Sequence, residues 1–321
     1  MMNITEQLVL LQQRAADLCQ QTQSAAPLLG VDVQSIAEGT VLDFASKGLG
    51  CLAGGVRLAE ICLGGMGQVW IDPSSNSQFP FPQVKVLTDF PLAACIGSQY
   101  AGWAFSDQDF FAMCSGTVRV NYGREYILQD YQLTDFFQQP VAIFECNQLP
   151  SESAVLALAE QCGVLPAQLV ICVARTASLP GSIQVVARSI ETALHKLHEL
   201  EFDLNSIRAA TGSAPLPPIP ATDLTALGWT NDAILYGGAV QLWVDGDDRS
   251  IEQVLDEIPS SSSRDYGRPF LEIFERYDRD FYRIDKRLFS PASITIFNCQ
   301  TGRIFQAGQP RHELLIDAWG K

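Results

Sequence analysis

The segment that most constrains the fold is 166–200. There an apolar strand, PAQLVICVA, passes through the turn RTASLPGS into a two-faced helix, GSIQVVARSIETALHKLHEL. At 100° per residue Val186, Ile190, Ala193, Leu194, Leu197 and Leu200 gather on one face, which must be buried against another element. Gln184, Arg188, Glu191, His195 and His198 fall within about 80° of each other on the opposite face by the same step. Periodicity by itself favours a solvated face with an internal Arg188–Glu191 pair, worth only ~0.2–0.5 kcal/mol when exposed. The sharper possibility is that this stripe lines a site.

The rest of the chain mixes strands and helices. An amphipathic helix opens it (MMNITEQLVLLQQRAADLCQQ), and GTVLDFA (39–45) alternates like a strand. GGVRLAEICLGGMGQVWI runs from a helix through glycines into a strand. VKVLTDF, AACIGSQYAGWAF and DFFAMCSGTVRVNY are strand-like or apolar with small-residue breaks, and QPVAIFECNQLP is a strand. Ser151 is placed to cap the helix SESAVLALAEQCGV. TGSAPLPPIPATD (211–223) is an extended, proline-rich connection. NDAILYGGAVQLWVDGDD predicts strand, glycine turn, strand. SIEQVLDEI predicts a helix capped by Ser250. PSSSSRDYG reads as a polar loop, RPFLEIFERYDRDFY as a helix, and ASITIFNCQTGRIFQAG as a hairpin turning at Gly302. Without strict βαβ alternation, the class expected is α+β.

Composition narrows the functions. Of 321 residues, 47% are hydrophobic and 18% charged, as in an ordered globular protein long enough for two lobes. Twenty-one basic against 36 acidic residues give a net charge of −15. That balance speaks against a nucleic-acid partner held through phosphates and against adhesion to anionic membranes. No apolar run approaches a membrane span, and the amino terminus lacks the pattern of an export signal. Nine scattered cysteines form no C-x-x-C pair and read as reduced core thiols, which implies a cytoplasmic setting.

Several chemistries lack their residues. Only His195, His198 and His312 could contribute imidazole. No H-E-x-x-H or Cys/His cluster accompanies them, so no metal site is expected. LGGMGQ (63–68) has neither the spacing of a dinucleotide loop nor the trailing Lys-Ser/Thr of a P-loop. CSGT (114–117) lacks the strand–elbow–helix context of a serine nucleophile. SSSS (260–263) is either a flexible loop or a set of donors to a polar ligand.

Read together, the segments resemble methenyltetrahydromethanopterin cyclohydrolases. The resemblance is carried by GTVLDF, RLAEICLGGMGQVWI, GSQYAGW, FFAMCSG, TASLPGSIQVVARSIETALHKLHELEFD, APLPPI, TNDAILYGG, LPSE, PSSSSRDYGRPFLEIFERYDRDFY and RLFSPASITIFN. These stretches lie in order from about residue 39 to 309, nearly the whole chain. The resemblance implies one cyclohydrolase-like unit over 1–321, with two interlinked lobes of mixed sheets and helices around a central cleft. It further implies a homotrimer, and hydrolysis of the methenyl bridge of a one-carbon-carrying reduced pterin to its N5-formyl form, without metal or redox cofactor. The family motif R-x-x-E falls on Arg188 and Glu191, implying catalytic roles. Gln184, Ser115, Gly116, Arg119, Asn231, Asp232 and Ser178 are implied to bind the pterin substrate, with His195 bordering the same cleft.

The chemistry suits that assignment. A methenyl carbon between two nitrogens is amidinium-like and already electrophilic, so it needs an activated water and a proton acceptor more than a metal. A buried glutamate of tuned pKa can supply both proton steps, oriented by a neighbouring arginine. The sequence also departs from the family's pattern. CSGTVRVN stands where GSGPARAL is usual, Trp229 replaces an arginine before TNDAI, and Arg175 occupies a proline position. Asp109 stands near where a lysine is expected. Two readings follow: an active cyclohydrolase, or a divergent paralogue that binds a pterin one-carbon intermediate without hydrolysing it or runs another pterin reaction.

Overall fold

The fold described here is that of a computed structural model, covering residues 2–74 and 79–320. In chain order the strands are β1 (Asp32–Ile36), β2 (Gly39–Ala45), β3 (Gln68–Asp72), β4 (Gln83–Thr88), β5 (Trp103–Asp107) and β6 (Phe110–Ser115). They continue with β7 (Val141–Glu145), β8 (Val170–Ala174), β9 (Ile207–Pro215), β10 (Ala239–Val244), β11 (Ser293–Asn298) and β12 (Ile304–Gly308). The helices are α1 (Ile4–Ser24), α2 (Ala26–Leu29), α3 (Leu52–Cys62), α4 (Val118–Tyr122), α5 (Tyr126–Asp130) and α6 (Glu152–Cys162). After them come α7 (Leu179–Val186), α8 (Ser189–Glu199), α9 (Asp223–Gly237), α10 (Asp248–Val254), α11 (Phe270–Arg276) and α12 (His312–Trp319). The class is α+β, as the mixed sequence pattern predicts.

The chain forms two compact units, one from 1–68 and 93–184, the other from 69–92 and 185–321. In the first, a sheet runs β1-β2-β8-β7-β6-β5. Its centre is parallel, β2 with β8 and β8 with β7, while the flanking pairs are antiparallel. Alternate residues of these strands serve opposite faces. Val41, Phe105, Phe144, Ile171 and Val173 pack with α6, and Leu42, Phe44, Ile143 and Cys172 pack with α1 and α3. Burial on both faces explains why β7 and β8 read as continuous apolar runs.

The second unit has a sheet in the order β12-β11-β10-β9-β4-β3. β10 and β11 are parallel, whereas β9 is antiparallel to both β10 and β4. α8 and α9 both pack on β9. The helix α9 corrects the expectation of a strand over Asn231–Gly237. Thr222 caps it, accepting from Thr225 N at 3.1 Å. Because most of its second half is buried, it lacks the two-faced pattern that distinguishes helix from strand.

Three other expectations are corrected. Leu92–Gln99 is a π-helix and not a strand, with Tyr100 N donating to Cys95 O at 2.8 Å across its end. Asp247, not Ser250, caps α10 by accepting from Arg249 N. The single helix expected over 181–200 is two helices, broken at Ala187–Arg188, where Arg188 N donates to Val185 O in a tighter turn at 3.0 Å. No proline or glycine marks that break. Gly302 does sit at a positive φ of 72° in the β11–β12 turn, and Ser151 caps α6 by accepting from Ala154 N.

Candidate active site

The break in the helix gives Arg188 and Glu191 their setting in the second unit. Arg188 occupies the N-cap of α8 and Glu191 lies in its first turn. A carboxylate there is favoured by the unpaired N–H groups and the helix dipole. Both side chains are 7% exposed, so the solvated stripe favoured by periodicity is overturned for this pair. Thr192 tightens the same turn, donating from both its N–H (2.8 Å) and Oγ1 (2.7 Å) to Arg188 O.

Farther along α8, Lys196 is buried and anchors the helix, donating to Arg287 O at 2.8 Å and Ser262 Oγ at 3.3 Å. Burial lowers its pKa to about 8. The serine run is therefore neither a flexible loop nor a ligand-binding edge over most of its length. Ser260 Oγ donates to Leu235 O, Ser262 Oγ to Glu257 O and Ser263 Oγ to Asp285 Oδ2. His195 is half-buried, and burial depresses its pKa to about 4 despite Glu199 at 3.9 Å. It is a neutral imidazole at neutral pH. Among the described residues no group of three or more His, Cys, Asp or Glu side chains is arranged to hold a metal ion.

In the first unit a second polar group sits where several segments end. Glu145, the last residue of β7, accepts from Thr176 Oγ1 at 2.5 Å and from Gln184 Nε2 at 3.4 Å. Gln184 Oε1 accepts from the Cys62 thiol at 3.9 Å, and Cys62 Sγ lies 3.4 Å from Ser115 Oγ. Glu145 and Cys62 escape a reading by motif. The available signal was that VAIFE ends an apolar strand with a lone carboxylate, and the carboxyl ends of parallel strands are where α/β sheets place their ligand groups.

The other expected substrate contacts divide. Gly116 takes a positive φ of 97°, and a Cβ there would strike Val141 O and lie 2.6 Å from Ile143 Cδ1. Its backbone N–H is already given to Ser98 O at 2.8 Å. Ser178 Oγ donates to Arg175 O at 2.7 Å and accepts from Gly181 N at 3.0 Å, shaping the entry to α7. Arg119 is fully buried. Its Nε and Nη2 meet Glu125 at 2.7 and 2.9 Å, and its Nη1 donates to Ile96 O at 2.7 Å. The guanidinium ties α4 to the π-helix and faces protein on these sides.

Asn231 and Asp232 belong to α9 of the second unit. Asn231 Nδ2 donates back to Leu227 O at 2.9 Å, and buried Asp232 accepts from Phe270 N at 2.7 Å. Burial raises the Asp232 pKa to about 7. Tyr236 adds a contact from its hydroxyl to Arg268 O and accepts from Gly267 N at 3.2 Å. TNDAILYGG and SSSSRDYGRPF are thus fastened to one another through α9.

A family described as cyclohydrolase (MCH) matches residues 11–319. A methenyltetrahydromethanopterin cyclohydrolase of Rhodopirellula baltica is 44% identical over 295 residues, 89% of this chain and 87% of the relative. One of Methylobacterium organophilum is 42% identical over 299 residues, 91% and 92% of the two chains. Another, of Methanoculleus marisnigri, is 40% identical over 267 residues, 83% and 84% of the two chains.

Proposed function

This chain belongs to the methenyltetrahydromethanopterin cyclohydrolase family, and we propose that Glu191, with Arg188 beside it in sequence, carries the family's hydrolysis here. The protein is a hydrolase that opens the methenyl bridge of N5,N10-methenyltetrahydromethanopterin to the N5-formyl form. The observation behind the residue assignment is the burial of an acid and a guanidinium three positions apart at the first turn of α8. Charged side chains are seldom buried together without a partner or a role.

The steps follow from the substrate's charge. Water adds to the cationic methenyl carbon while Glu191 takes one of its protons. Glu191 then returns that proton to N10 as the carbon–N10 bond breaks. The remaining hydroxyl proton leaves to solvent as the formyl C=O forms, so one water is consumed and one proton released. Arg188 orients the carboxylate and stabilises the developing formyl oxygen. The carboxylate also complements the positive substrate. Because the substrate carbon is already activated, this chemistry draws on no metal or redox cofactor.

Gln184 and Ser115 are read as substrate-binding groups, with Gly116 and Ser178 shaping the backbone beside them. Arg119 is assigned to tying α4 to the π-helix in the first unit, and Asn231 and Asp232 to α9 and its junction with Phe270 in the second. A cytoplasmic homotrimer remains part of the proposal, supported by the scattered thiols and by the resemblance. No helix among the described residues is long and apolar enough to cross a membrane. The binding-only reading has less support, because the R-x-x-E pair is intact and buried. The test is to add purified protein to the methenyl pterin, follow loss of its absorbance, and identify the N5-formyl product by mass. Binding without product would favour the paralogue.

A further inference from the structure

α8 carries Arg188 at its N-cap and Glu191 in its first turn, and two kinds of contact hold it within the second unit. Ile190, Ala193, Leu194 and Leu197 are buried on one face, and Gly212 of β9 meets Ser189 and Ile190. Apolar contact has no direction, so it sets the distance from helix to sheet better than the helix's place along its own axis. Lys196 adds a directional contact. It is 1% exposed, and its ammonium donates to Arg287 O at 2.8 Å and to Ser262 Oγ at 3.3 Å. Both acceptors are themselves held. Ser262 Oγ gives its single hydrogen to Glu257 O at 2.8 Å, so it can only accept from Lys196. Arg287 N donates to Asp285 Oδ1 at 3.2 Å. The Lys286–Glu199 pair, at 3.2 Å, joins the same helix to the same segment, but it is exposed and contributes little.

Packing alone does not call for a lysine there. A methionine fills a similar volume without the cost of taking an ammonium out of water. What the ammonium supplies is two charge-assisted hydrogen bonds, each roughly twice as strong as a neutral one. We propose, on the reading of Glu191 as proton acceptor and donor, that Lys196 is a positioning residue for hydrolysis: it fastens α8 to Ser262 and Arg287 and thereby fixes the Arg188–Glu191 turn. Lys196 lies five residues beyond Glu191, about 7.5 Å along the helix, so the two move as one rigid piece. The charged groups facing the ammonium are Arg287, Asp285, Glu257 and Glu199. Burial, helped by Arg287, outweighs the three carboxylates and lowers the pKa to about 8. The anchor therefore weakens as pH rises through about 8.

The test follows single-turnover hydrolysis of the methenyl pterin between pH 6 and pH 10, corrected for the uncatalysed rate, in wild type, Lys196→Met and Lys196→Arg. Lys196→Met is expected to hydrolyse about 10- to 100-fold more slowly than wild type at pH 7, with the substrate Kd within about threefold. The wild-type rate should fall toward that of Lys196→Met as pH rises through about 8, and the variant should show no such fall. Lys196→Arg keeps a cation that does not titrate in this range. It is expected to hydrolyse within about fivefold of wild type at pH 7 and to hold that rate to pH 10. Nitrogen–proton spectra without substrate should show the main-chain amides of Arg188 to Thr192 displaced in Lys196→Met. A Lys196→Met protein that melts cooperatively and hydrolyses within about twofold of wild type at pH 7 overturns the proposal, and so does an alkaline fall that persists in it. Should Lys196→Met not fold, Lys196→Gln carries the same expectations; should Lys196→Arg not fold, the pH comparison with wild type decides alone. If Glu191→Gln proves fully active, the Glu191 reading fails, and the displaced amides decide whether Lys196 places the turn.

Discussion

Gly212 on β9 lies directly against Ser189 and Ile190, the two residues between Arg188 and Glu191. A Cβ added to Gly212 would fall 2.9 Å from Ile190 Cγ1 and 3.4 Å from Ser189 Cβ, and closer still to Ser189 Oγ. The missing side chain is what lets the first turn of α8 approach the sheet. Gly212→Val should therefore push that turn outward. A displacement of about 1 Å is enough to reduce catalysis on the order of 100-fold. The check is kcat measured with melting temperature, because a fall in kcat in a protein that still melts cooperatively locates the effect at the Arg188–Glu191 turn.

Arg119 and Glu125 form a buried bidentate pair with a main-chain carbonyl on the third side of the guanidinium. Removing one partner leaves the other charge uncompensated. Arg119→Met should destabilise the fold by about 3–5 kcal/mol. Urea unfolding measures it. If stability is unchanged while KM rises sharply, Arg119 contacts substrate instead.

The pH dependence of stability should carry a mark of Asp232. Its pKa is raised by burial from 3.8 to about 7, so the folded state holds its proton more tightly than the unfolded chain does. The stabilisation is complete below pH ~4 and is lost as pH rises through about 7, up to about 4 kcal/mol in all. Asp232→Asn keeps an acceptor for Phe270 N without the charge. That variant should be more stable than wild type at pH 8, and its urea midpoint should vary less between pH 4 and pH 8. An identical pH slope in both proteins contradicts the assignment.

The turn between β1 and β2 uses two side-chain-bearing residues at positive φ, Ala37 at 46° and Glu38 at 69°. Glycine relieves this strain at either position. Glu38→Gly is expected to raise stability by about 0.5–1 kcal/mol without changing kcat or KM, readable as a shift in the urea midpoint.

Local pattern reveals much of this protein. The strand Gly39–Ala45, the cap at Ser151 and the turn at Gly302 each announce themselves by alternation, a capping side chain or a positive-φ residue. What stays hidden is set by tertiary contact. α9 resembles a strand because burial removes its two-faced pattern, and the break at Arg188 has no local breaker. Arg119 and Asp232 are implied by the resemblance to be substrate-binding residues. Only the fold shows that Glu125, Ile96 and Phe270 receive them. Glu145 and Cys62 are legible only through Gln184, which joins them across distant segments.

The proposed hydrolytic mechanism turns on Glu191. Its most direct test is single-turnover hydrolysis of methenyltetrahydromethanopterin at saturating enzyme by wild type and Glu191→Gln, followed as loss of the methenyl absorbance. The expected result is rapid turnover by wild type and a rate lowered about 100- to 10,000-fold in the variant, with the substrate Kd changed far less. A variant that hydrolyses within about tenfold of wild type would contradict the assignment of Glu191 as the proton acceptor and donor.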